Sequence, residues 1–459
     1  MNANFLRSFY FLLVFGLLLG ISSCVNDDTE SNEINKSELV KDQSREIIKE
    51  WFDLYLKIEK DIPLFRPAVT SRALGLITLS GYEAGKPGMP GFRSYNEFNA
   101  DFVAPKIDPS KQYYWPAAIN TAFAKTFKYF IINSNSEHHQ AILALENKLN
   151  DRYRQTQTLE VMQNSIEWGA AVGDAVVQFG KADIEAETQC FLARPDTHNP
   201  PVGPGFWVST DANPHGLSPY WGKTKTFFTP EAAQVSKPPI AYSEVVGSAY
   251  YNEAKEVYDV WKNLSYEDKW KAEFWSDDIV GLTFSPPARV FAMANQLIDN
   301  YNLDLETTLH LYLKLGMASN DAAVACWNSK YIYNIERPVT YIQKFIDPNF
   351  KPLLGRAIGH EGVTPPFPAY PSGHSTFAGM SSGVFIAFFG NSTNFTDRCH
   401  ADRTEFYGAP RTFHLFTDLA EENAYSRIPL GVHFRMDCVE GLRLGYEVAD
   451  YVNKVRFKK

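Results

Sequence analysis

PPFPAYPSGHSTF, residues 365–377, sets four prolines ahead of a serine, a glycine and a histidine. Pro365, Pro366, Pro368 and Pro371 fix the backbone and remove N–H donors. The next stretch, SGHSTFAGMSSGVFIAFFG (372–390), is rich in small residues and reads as a helix that starts just after the prolines. A helix start carries free N–H groups and a partial positive charge. Gly373 lets an anion come close to the backbone. Ser372 adds a hydroxyl, and His374 adds a group that titrates near neutrality. A histidine before Ser-Thr is also what a simple helix cap looks like, but the rigidity of the preceding prolines favours a built site.

Two further segments share this character. Upstream, DLETTLHLYLKLGMASNDAAVACWNSKYIYNIERPV (304–339) is a long helical pattern expected to stop near Pro338. Lys330 and Arg337 are seven residues apart in it, nearly two turns, so both cations are expected on one face. Their neighbours Cys326, Trp327, Tyr331, Ile332, Tyr333 and Ile335 are apolar or aromatic, an unusual setting for two charges. Downstream, in SRIPLGVHFRMD (426–437), Arg427 and His433 flank a Pro-Gly turn. Asp437 follows His433 by four residues and shares its face if His433 begins the last helix. It would then hold one imidazole N–H. A salt bridge from Asp437 to Arg435 or Arg443 is the alternative.

Almost every group in these segments is a donor. A divalent metal wants carboxylates, thiolates or several imidazoles, and three fixed cations would repel it. The set suits a tetrahedral oxyanion with about two to three negative charges. One histidine can bond the central atom while the other trades a proton with an apical oxygen.

Lys330-x6-Arg337-Pro338, Pro371-Ser372-Gly373-His374 and Ser426-Arg427-x5-His433-x3-Asp437, separated by 32 and 51 residues, resemble the three-part signature of the phosphatidic acid phosphatase type 2 superfamily. That superfamily holds membrane lipid phosphatases, acid phosphatases and vanadium-dependent haloperoxidases. The membrane branch is set aside, because no stretch after Cys24 reaches about 18 apolar residues. The flanks look like those of fungal-type vanadium chloroperoxidases. The length and the N-terminus look closer to bacterial haloperoxidase-like proteins. The resemblance implies a mainly α, helical-bundle haloperoxidase and acid-phosphatase-like fold, with the active site at the end of a bundle. It implies vanadate held covalently by His433, with Lys330, Arg337, Ser372, the Gly373 N–H and Arg427 on its oxygens. It implies catalytic roles for His374, Lys330 and His433, a halide pocket at Trp327 and Phe367, and Asp437 supporting His433. The implied reaction is oxidation of a halide by hydrogen peroxide to hypohalous acid, iodide or bromide rather than chloride, with a small organic acceptor. The alternative is an acid phosphatase, with phosphate in vanadate's place and a phospho-His433 intermediate. An oxyanion-binding protein without turnover is a third reading.

The rest of the chain is consistent with an anchored globular protein. Of 459 residues, 45% are hydrophobic, enough for a large core, and a net charge of −9 argues against nucleic acid as a partner. Arg7 precedes an apolar run from Phe9 to Leu19, and Ile21-Ser22-Ser23-Cys24 resembles the lipobox of bacterial lipoproteins. The expected organisation is a signal peptide (1–23), a lipidated Cys24 opening a flexible acidic linker (24–43), and one all-α domain (44–459). Within that domain, 44–300 would supply N-terminal helices and cleft loops, and 301–459 the oxyanion-binding half. The lipid would be the sole membrane contact, at the cell envelope, in the outer membrane facing the periplasm or the cell surface. Helical patterns recur at 44–60, 136–154, 158–181 and 286–302, while 193–242 reads as a long ordered loop. His138-His139 reads as a helix start. Asp277 and Asp278 are candidates to orient Arg427. The four remaining cysteines show no CxxC pair and read as buried free thiols.

Overall fold

The computed structural model describes residues 37–459, apart from residues 64, 66, 278, 357, 358, 360, 361, 405 and 406. The expected signal peptide, Cys24 and most of the linker lie outside the described residues. What is described of the linker is packed rather than loose. Val40 is buried, and the Trp115 indole donates to the Glu38 carbonyl at 2.7 Å.

Among the described residues the architecture is helical, with one small antiparallel strand pair. The first group comprises α1 (Glu46–Glu59), α2 (Ala68–Gly85), α3 (Trp115–Phe130), α4 (Ser136–Tyr153), α5 (Leu159–Lys181) and α6 (Ile184–Phe191). After the loop come α7 (Ala249–Lys262), α8 (Tyr266–Phe274), α9 (Pro286–Asn300), α10 (Leu305–Tyr333) and α11 (Pro338–Phe345). The chain ends with α12 (Gly373–Phe389), β1 (Ser392–Asp397) paired with β2 (Arg411–Leu415), α13 (Phe416–Tyr425) and α14 (Arg435–Lys454). No described helix is long and apolar enough to cross a membrane.

Helix α2 is buried on every face, and α10 on nearly every face, so neither shows the one-sided stripe that marks a surface helix. They pack against each other at the centre of the molecule. Helices α12 and α14 also approach closely. A Cβ on Gly445 would lie 2.1 Å from the Thr376 carbonyl oxygen, and one on Gly441 would lie 2.6 Å from that of Ser372. Glycine at these positions therefore sets the distance between the first turn of α12 and the second and third turns of α14. This is the contact that builds the site.

The 193–242 segment is a wall, irregular except for single turns at Trp221–Lys223 and Glu231–Ala233. It is tied down by backbone bonds, Trp207 N–H to Asn334 O at 2.7 Å and Leu217 N–H to Pro366 O at 2.8 Å. The buried Asp321 carboxylate collects the N–H groups of Phe227, Phe228 and Thr229.

One expectation is corrected. Helix α10 stops at Tyr333, where Asn334 takes a left-handed conformation (φ 50°), and not at Pro338. Pro338 instead opens α11, at the first helical position, where its missing N–H costs nothing. Lys330 and Arg337 therefore do not share a helix face. Arg337 is the residue just ahead of α11.

Candidate active site

The proline-rich stretch works through its carbonyls. The Lys330 ammonium donates to the carbonyl oxygens of Pro368 (2.8 Å), Ala369 (2.9 Å) and Pro371 (2.6 Å). All three of its protons are directed at this strand of backbone. Contact with an oxyanion would cost one of these bonds. Arg337 braces the other side. Its Nε and Nη2 donate to Phe367 O (3.1 and 2.9 Å), and its Nη1 donates to Val432 O (2.9 Å). Arg427 donates from Nη1 to Trp275 O at 3.0 Å.

Ser372 is the N-cap of α12, its Oγ accepting from Ser375 N–H at 3.3 Å. Its own N–H donates to Asp437 O at 2.9 Å, which pins α12 to α14. His433 stands just before α14. Its Nδ1 lies 2.9 Å from Asp437 Oδ2, and that oxygen also accepts the Phe434 N–H at 3.0 Å. The expected pairing of His433 with Asp437 is present, through a capping turn rather than a shared helix face. Arg435 pairs with Glu256 and Arg443 with Glu440 and Glu447, so neither takes Asp437.

The protonation pattern follows. A carboxylate at Nδ1 calls for a proton there, which leaves the lone pair on Nε2. Arg337 Nη1, an obligate donor, points at that Nε2 from 3.0 Å. Burial, then the charge of Arg337, holds His433 well below the usual imidazole range. Burial, then the charge of Arg427, does the same to His374. His374 Nε2 is buried with no hydrogen-bond partner among the described residues. Burial lowers Lys330 and raises Asp437, and each charge partly supports the other.

Lys330, Arg337 and Arg427 are each at most 1% exposed. Lys330 and Arg337 have no ion-pair partner among the described residues; their bonds go to carbonyls and an imidazole. Buried cations held this way are stable when an anion joins them. Arg289, by contrast, is balanced by Asp277 (3.1 Å) and Asp397 (2.6 Å).

A cavity of about 240 Å³ reaches Gly373, His374, Arg427 and His433 and is walled by Trp327 and Phe367. The two rings are 5.0 Å apart, centre to centre. Lys330 Nζ lies 5.1 Å from the Phe367 ring centre, and the Arg337 guanidinium 5.2 Å from it. Lys330, Arg337, Ser372 and Asp437 sit behind this wall rather than on it.

Sequence reading missed the support beneath the cavity. Asp277 does not meet Arg427; it accepts from Arg289 Nη1 and lies 3.0 Å from His400 Nε2. Arg427 bonds instead to the Trp275 carbonyl two residues earlier. Asp278 lies outside the described residues. Arg289 was the available signal, a single arginine in the apolar run PPARVFAMA.

A model of the VCPO second helical-bundle domain matches residues 310–458, which contain Lys330, Arg337, Ser372, His374, Arg427, His433 and Asp437. The vanadium chloroperoxidase of Curvularia inaequalis is 24% identical, over 48% of this chain and 46% of that enzyme, so the match spans about half the relative's length. Among solved structures, the first bacterial vanadium-dependent iodoperoxidase superposes with a TM-score of 0.79 at 28% identity, covering 90% of this chain and 97% of that one. A holo-type bacterial vanadium-dependent chloroperoxidase shares the fold, with a TM-score of 0.62 at 15% identity over 87% and 94% of the two chains. In its helical architecture and its second bundle the chain is similar to the vanadium haloperoxidases.

Proposed function

We propose that the protein is a vanadium-dependent haloperoxidase that uses hydrogen peroxide to oxidise a halide to hypohalous acid, iodide or bromide in preference to chloride. The observation that carries this reading is the pair of buried cations, Lys330 and Arg337, beside an imidazole that turns its Nε2 lone pair toward one of them, Arg337 Nη1 at 3.0 Å. That donor set fits vanadate. His433 Nε2 would hold it, with Arg427 and the Gly373 N–H facing its oxygens from the cavity lining, and Ser372, Lys330 and Arg337 reaching them from behind the wall, the two cations by giving up a present bond to a carbonyl. Bound there, vanadate supplies a Lewis-acid centre that activates peroxide without a change of oxidation state.

The chain's own groups do the rest. Asp437 keeps the His433 proton on Nδ1 and the ring in place. His374, neutral and unpaired at Nε2, can take the proton that peroxide loses and return one to the departing oxygen. The fixed cations stabilise charge as it develops, with little reorganisation in a buried site. Trp327 and Phe367 offer apolar surface, and a large polarisable halide loses less hydration there than chloride does. The similarity to a bacterial iodoperoxidase supports iodide as a substrate. The test is kcat/KM for iodide, bromide and chloride at fixed peroxide, expected to fall in that order; chloride used as well as iodide would remove the preference.

We also propose the lipid anchor at Cys24, on the lipobox-like residues Ile21 to Cys24. Cys24→Ser should move the protein from the envelope fraction to the soluble fraction, and an unchanged distribution would refute it.

A further inference from the structure

The cavity is divided by chemistry. His374, His433 and Arg427, at its floor, are buried. Its mouth is apolar, with Val280 at 51% and Val363 at 44% exposure, and Ile279 and Leu354 just inside. This wall is pre-formed. Ile279 and Leu354 belong to one packed apolar cluster with Leu430 and Val432, the residues leading into His433. The Leu353 N–H, bonded to Leu430 O at 2.9 Å, fixes the wall to that turn.

Peroxide and halide have no use for such a mouth. Peroxide is small and strongly hydrated, and the halide is a single ion already served by the aromatic pair Trp327 and Phe367 deeper in the cavity, so neither needs aliphatic walls at the mouth. The volume also exceeds their need: an apolar cavity of about 150 Å³ already admits benzene, and this one is about 240 Å³. Apolar walls leading to a few convergent polar groups describe a small-molecule pocket.

We propose that this vestibule binds the organic acceptor, a small uncharged aromatic molecule, so that halogen transfer takes place inside the protein rather than in bulk water. The proposal rests on the haloperoxidase reading and names its second substrate. In the transfer, the ring carbon supplies an electron pair to the halogen of hypohalous acid. The O–X bond breaks with its pair on oxygen, and the carbon–halogen bond forms. The proton then lost by the ring carbon joins the departing hydroxide as water. The carbon is oxidised by two electrons, and the halogen is reduced to its −1 state. A charged acceptor would have to leave water for the aliphatic wall and is disfavoured.

The experiment is a competition. Vanadate-loaded protein, peroxide and iodide are given thymol and 4-hydroxybenzenesulfonate at equal concentration, and the product ratio is compared with that from reagent hypoiodite. Iodide oxidation is followed in parallel as triiodide without acceptor. The expected result is a ratio shifted toward thymol by about ten-fold. Val280→Asp and Val363→Asp, both at exposed positions, should return the ratio toward that of the reagent. Vanadate-free protein should also bind fluorobenzene saturably, read by fluorine NMR, and each variant should weaken that binding. Triiodide formation with a product ratio equal to the reagent's overturns the vestibule and leaves the haloperoxidase standing. Absence of triiodide removes both.

Discussion

His433 and Asp437 face each other across 2.9 Å, Nδ1 to Oδ2, while the opposite ring nitrogen lies 3.0 Å from Arg337. The imidazole is held between an acceptor and a donor, and only one tautomer satisfies both. Asp437→Asn keeps an acceptor oxygen for Phe434 N–H but loses the charge behind the ring. Supporting carboxylates of this kind are worth about 10–100-fold in affinity for the bound centre. A loss of that size in vanadate affinity, read by vanadium NMR titration with an unchanged circular dichroism spectrum, is expected.

His374 and His433 should separate cleanly by mutation. His374→Ala removes a proton carrier and leaves the anion-binding groups in place. Turnover should fall by about 10²–10⁴-fold, with vanadate retention close to that of the parent protein. His433→Ala should abolish retention itself. Equal retention by both variants would contradict the assignment of Nε2 as the attachment point.

Arg337→Ala carries a structural cost as well as a binding cost. The Phe367 and Val432 carbonyls lose their donor inside the protein. Each buried group left unpaired costs about 1–3 kcal/mol. Urea unfolding should show a lower midpoint together with weaker vanadate binding. Arg289→Ala should lower the midpoint too, because Asp277 and Asp397 are left as buried charges without their partner, at about 3–5 kcal/mol.

The pH dependence has a definite sign. Folding holds His374 and His433 well below 6.5, by burial and then by neighbouring cations. The unfolded chain therefore binds protons below that pH which the folded chain does not. Their contribution to stability is complete above it and is lost progressively as pH falls toward the depressed values. A bound polyanion raises both groups and opposes the loss. Thermal melts on the acid side of 6.5 should show a larger gain from orthophosphate than melts on the alkaline side. An equal gain on both sides would contradict it.

The amphipathic helices α1, α4, α5 and α9 and the small-residue α12 were legible in the sequence because periodicity or composition marks them. Helix α2 was not, since a helix buried on every face carries no stripe. The stop of α10 was misplaced because a proline reads alike whether it ends one helix or opens the next. The three site segments were legible as motifs, because oxyanion chemistry needs unusual residues close together. Their support was not. The carbonyls around Lys330 and Arg337, and the pairing of Arg289 with Asp277 and Asp397, belong to tertiary contacts that no local pattern encodes.

The most direct measurement uses one preparation stripped of metal and phosphate and divided in two. One half receives orthovanadate, peroxide and iodide. The other receives a chromogenic phosphate ester without vanadate. Triiodide formation that saturates with vanadate and far exceeds any ester hydrolysis is the predicted result. Brisk ester hydrolysis that vanadate inhibits, with no triiodide, would contradict the haloperoxidase reading and make the same pocket that of an acid phosphatase.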